Sequence, residues 1–435
     1  MEIIALGICV SLFIMSLIML ENKPLHPATL LYGLFSMILF FSVLNLFGIY
    51  KPVDEAYVLI SIMLGSFGLG SFFGSFAKSK IAIRSSDGIK GKKHYLNIKI
   101  FYLLTGIAIL FLLYDTLISL KYILEGIPAW QVRNWTLEEF GSQNPILSRR
   151  SFGEELFRTV VLSPMGMVIP PVAAYVFFDS YYKKHRNMVL ALALMHVLMV
   201  CVSSGGGRLR MIYFCGCFFI AYLVFSNKKL FPDFKRNKYR RKTLIFGSVF
   251  VVGVILMTWF RVGIGYLWRQ IYTYFALPPT LLSIWLPSIK EAEPTYGMLS
   301  FYGVFGYFFR ALKMLGMNAL VPSVYDNAFQ HILDAQAFRD TGYGIGNAFV
   351  TPIYYFYLDG GKLFICLASV VFGVITARIH KNVSKKVDIR SFSIYALMMY
   401  GVFEAFMTIM TGVPAQIIAI IFVFLICGKT KTGGH

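Results

Sequence analysis

Two stretches bracket the part of the chain on which the fold turns: Met257-Thr-Trp-Phe-Arg261-Val-Gly-Ile-Gly265 and Tyr343-Gly-Ile-Gly-Asn347-Ala-Phe-Val-Thr351-Pro-Ile-Tyr354-Tyr-Phe-Tyr-Leu-Asp359-Gly-Gly361. The first closes an apolar run and the second leads into another. Between them lies a long segment carrying arginines, acids and aromatics. Outside it the chain is largely a succession of apolar runs of roughly 20 residues, the length that crosses a bilayer core as a helix. Of 435 residues, 57% are hydrophobic and 14% are charged. Soluble domains are far less apolar and more charged. The expected fold is therefore all-α: one polytopic integral membrane domain over residues 1–435.

About eleven spans are expected, near 1–20, 28–48, 56–77, 97–120, 157–178, 188–204, 210–226, 243–260, 361–378, 391–409 and 413–428. The first carries Glu2 and no basic leader, so it reads as a retained helix. The six cysteines lie in or beside apolar runs without zinc spacing and read as small buried hydrophobes.

The formal charge of +20 would suggest nucleic acid in a soluble protein. Here its placement argues otherwise. Lys and Arg crowd four short connections: Lys78–Lys93, Lys183–Arg186, Lys228–Lys242 and Arg378–Arg390. With the spans above, all four fall on one side, which the positive-inside rule makes cytoplasmic. The amino terminus then faces the periplasm and the carboxyl terminus the cytoplasm. Two outer segments are long, 121–156 and 261–360. The second contains Tyr296–Met317, interrupted by Arg310 and Lys313, which reads as helix lying in or dipping into the outer interface.

Candidate chemistry sits at the outer face. The turn Ser203-Ser-Gly-Gly-Gly207-Arg208-Leu-Arg210 combines glycines, which let backbone N–H groups approach an anion, with guanidinium groups that match phosphate oxygens. Arg261 ends a span, and Arg269, Arg310 and Arg339 follow. Together these suit a diphosphate at the membrane surface; the alternative is arginines anchoring to headgroups. Glu404, expected inside a span, is a functional candidate because a carboxylate in hydrocarbon is costly; it also fits a structural ion pair. Asp115 is a weaker case of the same kind. His196 reads as a helix contact. Asp326, His331, Asp334 and Asp340 are acid–base candidates, and Tyr343, Tyr354, Tyr355 and Tyr357 suit sugar stacking or an aromatic belt. There is no Asp-x-Asp and no His-Glu-x-x-His, so neither a metal-held nucleotide-sugar donor nor a zinc site is expected.

The glycine turn with Gly207 and Arg208, the loop glycines Gly344 and Gly346, and Asp359 with Gly361 before a late span resemble the Wzy-type O-antigen polymerases. The likeness extends to span count, the large late outer loop and the basic inner loops. One departure is Phe364, where that family often has glycine. It leaves Asp359 open as a helix cap.

The resemblance implies a lipid-donor, GT-C-like glycosyltransferase of the bacterial inner membrane. It would join undecaprenyl-diphosphate-linked oligosaccharides without a metal or cofactor. Membrane lipids and a chain-length regulator would be its partners, and nucleic acid would not. On that reading Arg208, Arg210 and Arg261 hold the diphosphate, Arg269, Arg310, Arg339, Tyr343 and Asp359 contact substrate, and Asp326, His331 or Glu404 serves the acceptor. Rival readings are an O-antigen ligase and a flippase or transporter.

Overall fold

A computed structural model describes residues 1–18, 25–76, 94–128, 131–132, 152–204, 207–227, 230–231, 236–262, 266–342, 344–346 and 349–429. The chain is built from helices. In order they are α1 (Glu2–Ile18), α2 (Pro27–Leu44), α3 (Asp54–Phe76), α4 (Ile98–Leu124), α5 (Phe152–Phe157), α6 (Ser163–Phe178), α7 (Arg186–Ser203) and α8 (Leu209–Phe225). They continue as α9 (Arg236–Val262), α10 (Leu267–Glu291), α11 (Tyr302–Met314), α12 (Val324–Gln336), α13 (Thr351–Lys385), α14 (Ile389–Phe403) and α15 (Pro414–Ile426). A π-helical turn, Arg158–Leu162, joins α5 to α6. Two short antiparallel pairs add β1 (His94–Leu96) with β4 (Cys427–Lys429), and β2 (Arg339–Asp340) with β3 (Ile345–Gly346).

Among the described residues seven helices are long and apolar enough to cross a membrane, at 27–44, 54–76, 98–124, 158–178, 186–203, 239–259 and 351–385. Three further apolar helices, 2–18, 209–225 and 414–426, are shorter. The eleven full-length spans expected from sequence are thus not all present as such among the described residues. The largest departure is 391–409: helix α14 stops at Phe403, and a 3-10 turn, Glu404–Phe406, follows. Another is at the late span. Helical backbone begins at Thr351 rather than Gly361, and Thr351–Phe356, Leu358 and Asp359 are all buried. The thirteen residues of α11 extend about 20 Å, short of a hydrocarbon core about 30 Å thick. The six cysteines are unpaired; four are buried, and Cys215 and Cys366 are half-buried.

Contacts divide the chain into two compact units. The first comprises Met1–Gly91, Trp268–Ser384 and Met398–Ile417. Its core brings α1, α2 and α3 together with α10 and α13 around Phe35, Ile38, Leu59, Phe67, Leu282 and Tyr354. Small residues permit the closest crossing. A Cβ on Gly74 of α3 would stand 2.7 Å from the Val374 carbonyl oxygen, and one on Gly373 of α13 would stand 2.8 Å from the Ser71 nitrogen. Glycine in facing helices brings backbones into van der Waals contact, the usual way membrane helices gain packing where no hydrophobic drive separates protein from lipid.

The second unit comprises Lys92–Leu267, Lys385–Leu397 and Ile418–His435. At one end β1 pairs with β4, His94 Nδ1 lies 2.7 Å from Asp388 Oδ2, and the Leu96 N–H donates to the Tyr182 hydroxyl at 3.0 Å. The Tyr239 ring is 5.4 Å from that of Phe178. Burial raises the Asp388 pKa, but hydrogen bonds from Ser391 and His94 outweigh it and hold the carboxyl below the ordinary value. Residues bordering all four basic connections therefore meet at this end. At the other end the Ser119 hydroxyl of α4 donates to the Ser203 carbonyl of α7 at 3.0 Å, where the glycine turn begins.

Candidate functional site

In the second unit, Arg208 caps the amino end of α8 with φ −90° and ψ −22°. Its side chain is buried, and Nη1 donates to Thr258 Oγ1 of α9 at 2.6 Å. That hydroxyl donates to the Val254 carbonyl at 2.6 Å, which fixes its acceptor lone pairs toward the arginine. Arg210 lies two residues on, in the first turn of α8, and its Nη1 is buried with no acceptor among the described residues. A guanidinium N–H left unpaired in a buried place is costly, and an anionic oxygen satisfies it best. Arg210 also acts electrostatically on His196. His196 is 2% exposed, its Nδ1 has no partner among the described residues, and a Cβ on Gly166 would approach its ring to 3.1 Å. The backbone of Arg261 falls in the last turn of α9; its side chain lies outside the described residues.

A second cluster at this end was not singled out from sequence as a group. Arg158, in the π-helical turn, donates to both oxygens of Asp115, with Nη2 2.9 Å from Oδ1. It also donates to Glu154 Oε1 from Nε at 3.1 Å and from Nη2 at 2.7 Å. Asp115 thus takes the structural ion-pair role that a carboxylate in an apolar helix needs. The spacing of Glu154 four residues before Arg158 was the available signal.

In the first unit, Asp359 is 1% exposed. Its Oδ1 accepts from the Thr295 hydroxyl at 2.5 Å, the Gly297 N–H at 2.9 Å and the Leu299 N–H at 3.1 Å. Oδ2 accepts from the Ser300 N–H at 2.8 Å. The carboxylate therefore organises the turn at 296–300, in which Tyr296 and Gly297 have positive φ. Immediately after it α13 breaks at Gly361, whose φ of 65° suits glycine. Asp359 is held by the fold rather than presented outward.

Several outer-segment candidates gather around one tryptophan. The Arg339 guanidinium stacks over the Trp285 ring at 4.1 Å. Trp285 meets Tyr354 edge-on at 5.7 Å, and the Tyr354 hydroxyl donates to the His331 carbonyl at 3.1 Å. His331 Nδ1 is 3.8 Å from Asp334. Burial lowers the His331 pKa, and Asp334 partly offsets this. Asp340 accepts from the Gly342 N–H at 3.0 Å and the Tyr50 hydroxyl at 2.9 Å, which depress its pKa in that order. The loop glycines serve the β2–β3 hairpin: Gly342 has φ 83° against the Gly48 carbonyl, and a Cβ on Gly346 would press Leu277.

The remaining described candidates have other partners. Asp326 is exposed and pairs with Lys313. Arg310 is within electrostatic reach of Tyr302. Arg269 lies over the Phe47 ring at 5.6 Å. Tyr343 lies outside the described residues.

Glu404 is buried at the end of α14, 7% exposed, and its Oε2 accepts from Gln416 Nε2. Its carbonyl accepts the Met407 and Thr408 N–H groups at 2.8 and 3.0 Å. Gln416, inside the run expected as the last span, carried no signal in sequence.

Among the described residues no three His, Cys, Asp or Glu side chains converge as metal ligands. Comparison with family models, with curated proteins and with solved structures found no match to this chain.

Proposed function

We propose that this chain is an inner-membrane glycosyltransferase that polymerises undecaprenyl-diphosphate-linked oligosaccharide units at the periplasmic face. The observation that carries the reading is the pair of arginines on the glycine turn. Arg208 is buried and oriented by Thr258, and Arg210 keeps a buried N–H without an acceptor among the described residues. In glycosyl transfer from a lipid diphosphate, negative charge grows on the leaving phosphate oxygen. Donors whose contacts strengthen as that charge develops lower the barrier. That His94, Tyr182, Tyr239 and Asp388, which border or lie within the four basic connections, meet at one end of the second unit favours placing that end in the cytoplasm and the glycine turn outside. A chain-length regulator is the expected protein partner.

The test is a deletion strain carrying the chain or its Arg208→Ala variant at matched protein levels. Restored ladders of lipopolysaccharide chain length with the native chain, and core bearing a single unit with the variant, are expected. A normal ladder from Arg208→Ala would overturn the assignment. Bare core in the deletion strain would point instead to a ligase.

A further inference from the structure

In the first unit α11 and α12 pack as a hairpin. Tyr302 stacks on Tyr325 with ring centroids 5.9 Å apart, and Phe309 meets the same ring at 5.7 Å. The Tyr325 hydroxyl donates to the Gly306 carbonyl at 3.3 Å, and Lys313 pairs with Asp326 while lying over the Tyr325 ring at 5.4 Å. These contacts occupy one face of α11. What the two helices leave uncovered differs in kind. The exposed residues of α11 are Val304, Phe305, Phe308, Ala311 and Met314, which recur at helical spacing along a single face. Phe301 before them and Leu315 after them are exposed too and extend the stripe. It carries no charged or hydrogen-bonding side chain. The exposed residues of α12 are Asp326, Asn327, Gln330 and Gln336, all polar.

Three observations bear on what covers the apolar face. First, the stripe begins beside a span. A Cβ on Gly297 would stand 3.8 Å from the Phe301 ring and 3.9 Å from the Phe364 ring of α13. There α13 exposes Leu363, Leu367 and Val371, along a helix long and apolar enough to cross a bilayer. The stripe is therefore continuous with a surface that lipid covers. Second, the base of the hairpin is fixed to that structure. A Cβ on Gly303 would stand 2.5 Å from the Thr411 carbonyl oxygen, and the Thr411 hydroxyl donates to the Ser300 carbonyl at 2.6 Å. Third, the thirteen residues of α11 are too short to cross a bilayer. A hairpin dipping into hydrocarbon would carry Asp326 and Gln330 with it, which is costly.

We infer that the α11–α12 hairpin lies flat on a lipid surface, with the α11 stripe sunk among the upper acyl chains and α12 facing water. An amphipathic helix gains most by burying its apolar face at the boundary of headgroups and chains. The Tyr354 hydroxyl of α13 donates to the His331 carbonyl of α12, so the same arrangement holds His331 and Asp334 at headgroup level. The inference rests on the membrane class of the chain and is independent of the glycosyl-transfer reading.

The test places a fluorescent amino acid singly at Phe301, Phe308, Leu315, Asn327 or Gln330 of the full-length protein in phosphatidylcholine vesicles. All five sites are exposed, so the probes displace no packed side chain. The quenchers are lipids carrying a nitroxide either near the headgroup or near the chain end. Probes at Phe301, Phe308 and Leu315 should lose most of their fluorescence to the shallow nitroxide and little to the deep one. They should report a common depth to within ~5 Å, one helical turn. Probes at Asn327 and Gln330 should lose none to either. An upright α11 would separate Phe301 from Leu315 in depth by about 20 Å, and that result would overturn the flat arrangement. Quenching of Asn327 as strong as that of Phe308 would overturn the two-sided hairpin. A Phe308 probe untouched by both nitroxides would show that water or another protein surface meets the stripe, and would overturn the lipid contact.

Discussion

Replacing Asp359 tests how much one buried carboxylate holds the first unit together. Its two oxygens accept from three backbone N–H groups and one hydroxyl. Thr295, Leu299 and Ser300 are each 0–1% exposed, so water cannot readily replace the lost acceptor. An orphaned buried donor costs about 1–3 kcal/mol. Three such donors, less the relief of no longer burying a charge, put Asp359→Ala at about 5 kcal/mol, a large part of an ordinary stability. At about 2–4 °C per kcal/mol for a body of this size, melting should fall by about 10 °C or more. Asp359→Asn keeps one carbonyl oxygen for the three donors on Oδ1 and loses only the acceptor for Ser300, so it should lie between. The assay is thermal aggregation of a fluorescent fusion in mild detergent, followed by size-exclusion chromatography. An Asp359→Ala protein that melts with wild type, or an Asn variant less stable than Ala, would refute the reasoning.

Other variants probe separate parts of the account by the same melting assay. Gly373→Leu forces side-chain atoms into the α3 backbone and should cost at least about 1–3 kcal/mol, whereas Gly65→Ala, with nothing within 4 Å of the new atom, should be neutral or better; equal melting of the two would deny the close crossing. Arg158→Ala strands Asp115 and should cost about 3 kcal/mol or more, with much of the loss recovered in Arg158→Met/Asp115→Leu; no recovery would mean the pair is not what the site requires. The folded pKa of His331 lies below its ordinary 6.5. The unfolded chain therefore binds more protons in that window, and stability falls as pH drops below about 6.5. His331→Gln should flatten melting temperature between pH 7 and 5, and an unchanged slope would count against a buried neutral imidazole.

Much of the helical framework was legible because apolar runs near bilayer length leave a helix little alternative. Expected spans at 97–120 and 157–178 meet helices at 98–124 and 158–178. Thr351–Asp359 was harder. Its Thr, three Tyr and Asp read as an outer loop, yet Tyr354, Tyr355 and Asp359 are interior side chains with partners far along the chain: the His331 carbonyl for Tyr354, Thr408 for Tyr355 and Thr295 for Asp359. No local pattern announces such partners. The β1–β4 pair carries the same lesson, joining His94 to Lys429 through three-residue strands. At the candidate site, residue type pointed to Arg208 and Arg210. The Thr258 hydroxyl that orients Arg208, and the Gln416 amide beside Glu404, lie within apolar runs where a single polar residue is unremarkable.

The account stands most directly on whether Arg210 holds a lipid diphosphate. Binding of undecaprenyl diphosphate and of undecaprenyl monophosphate to the purified protein, measured for wild type and Arg210→Ala, decides this. Wild type should prefer the diphosphate, and the variant should lose about 10-fold or more of that affinity, the equivalent of one charge-assisted hydrogen bond of about 1.5–3 kcal/mol, with the monophosphate less affected. Equal diphosphate affinity in the two proteins would contradict it.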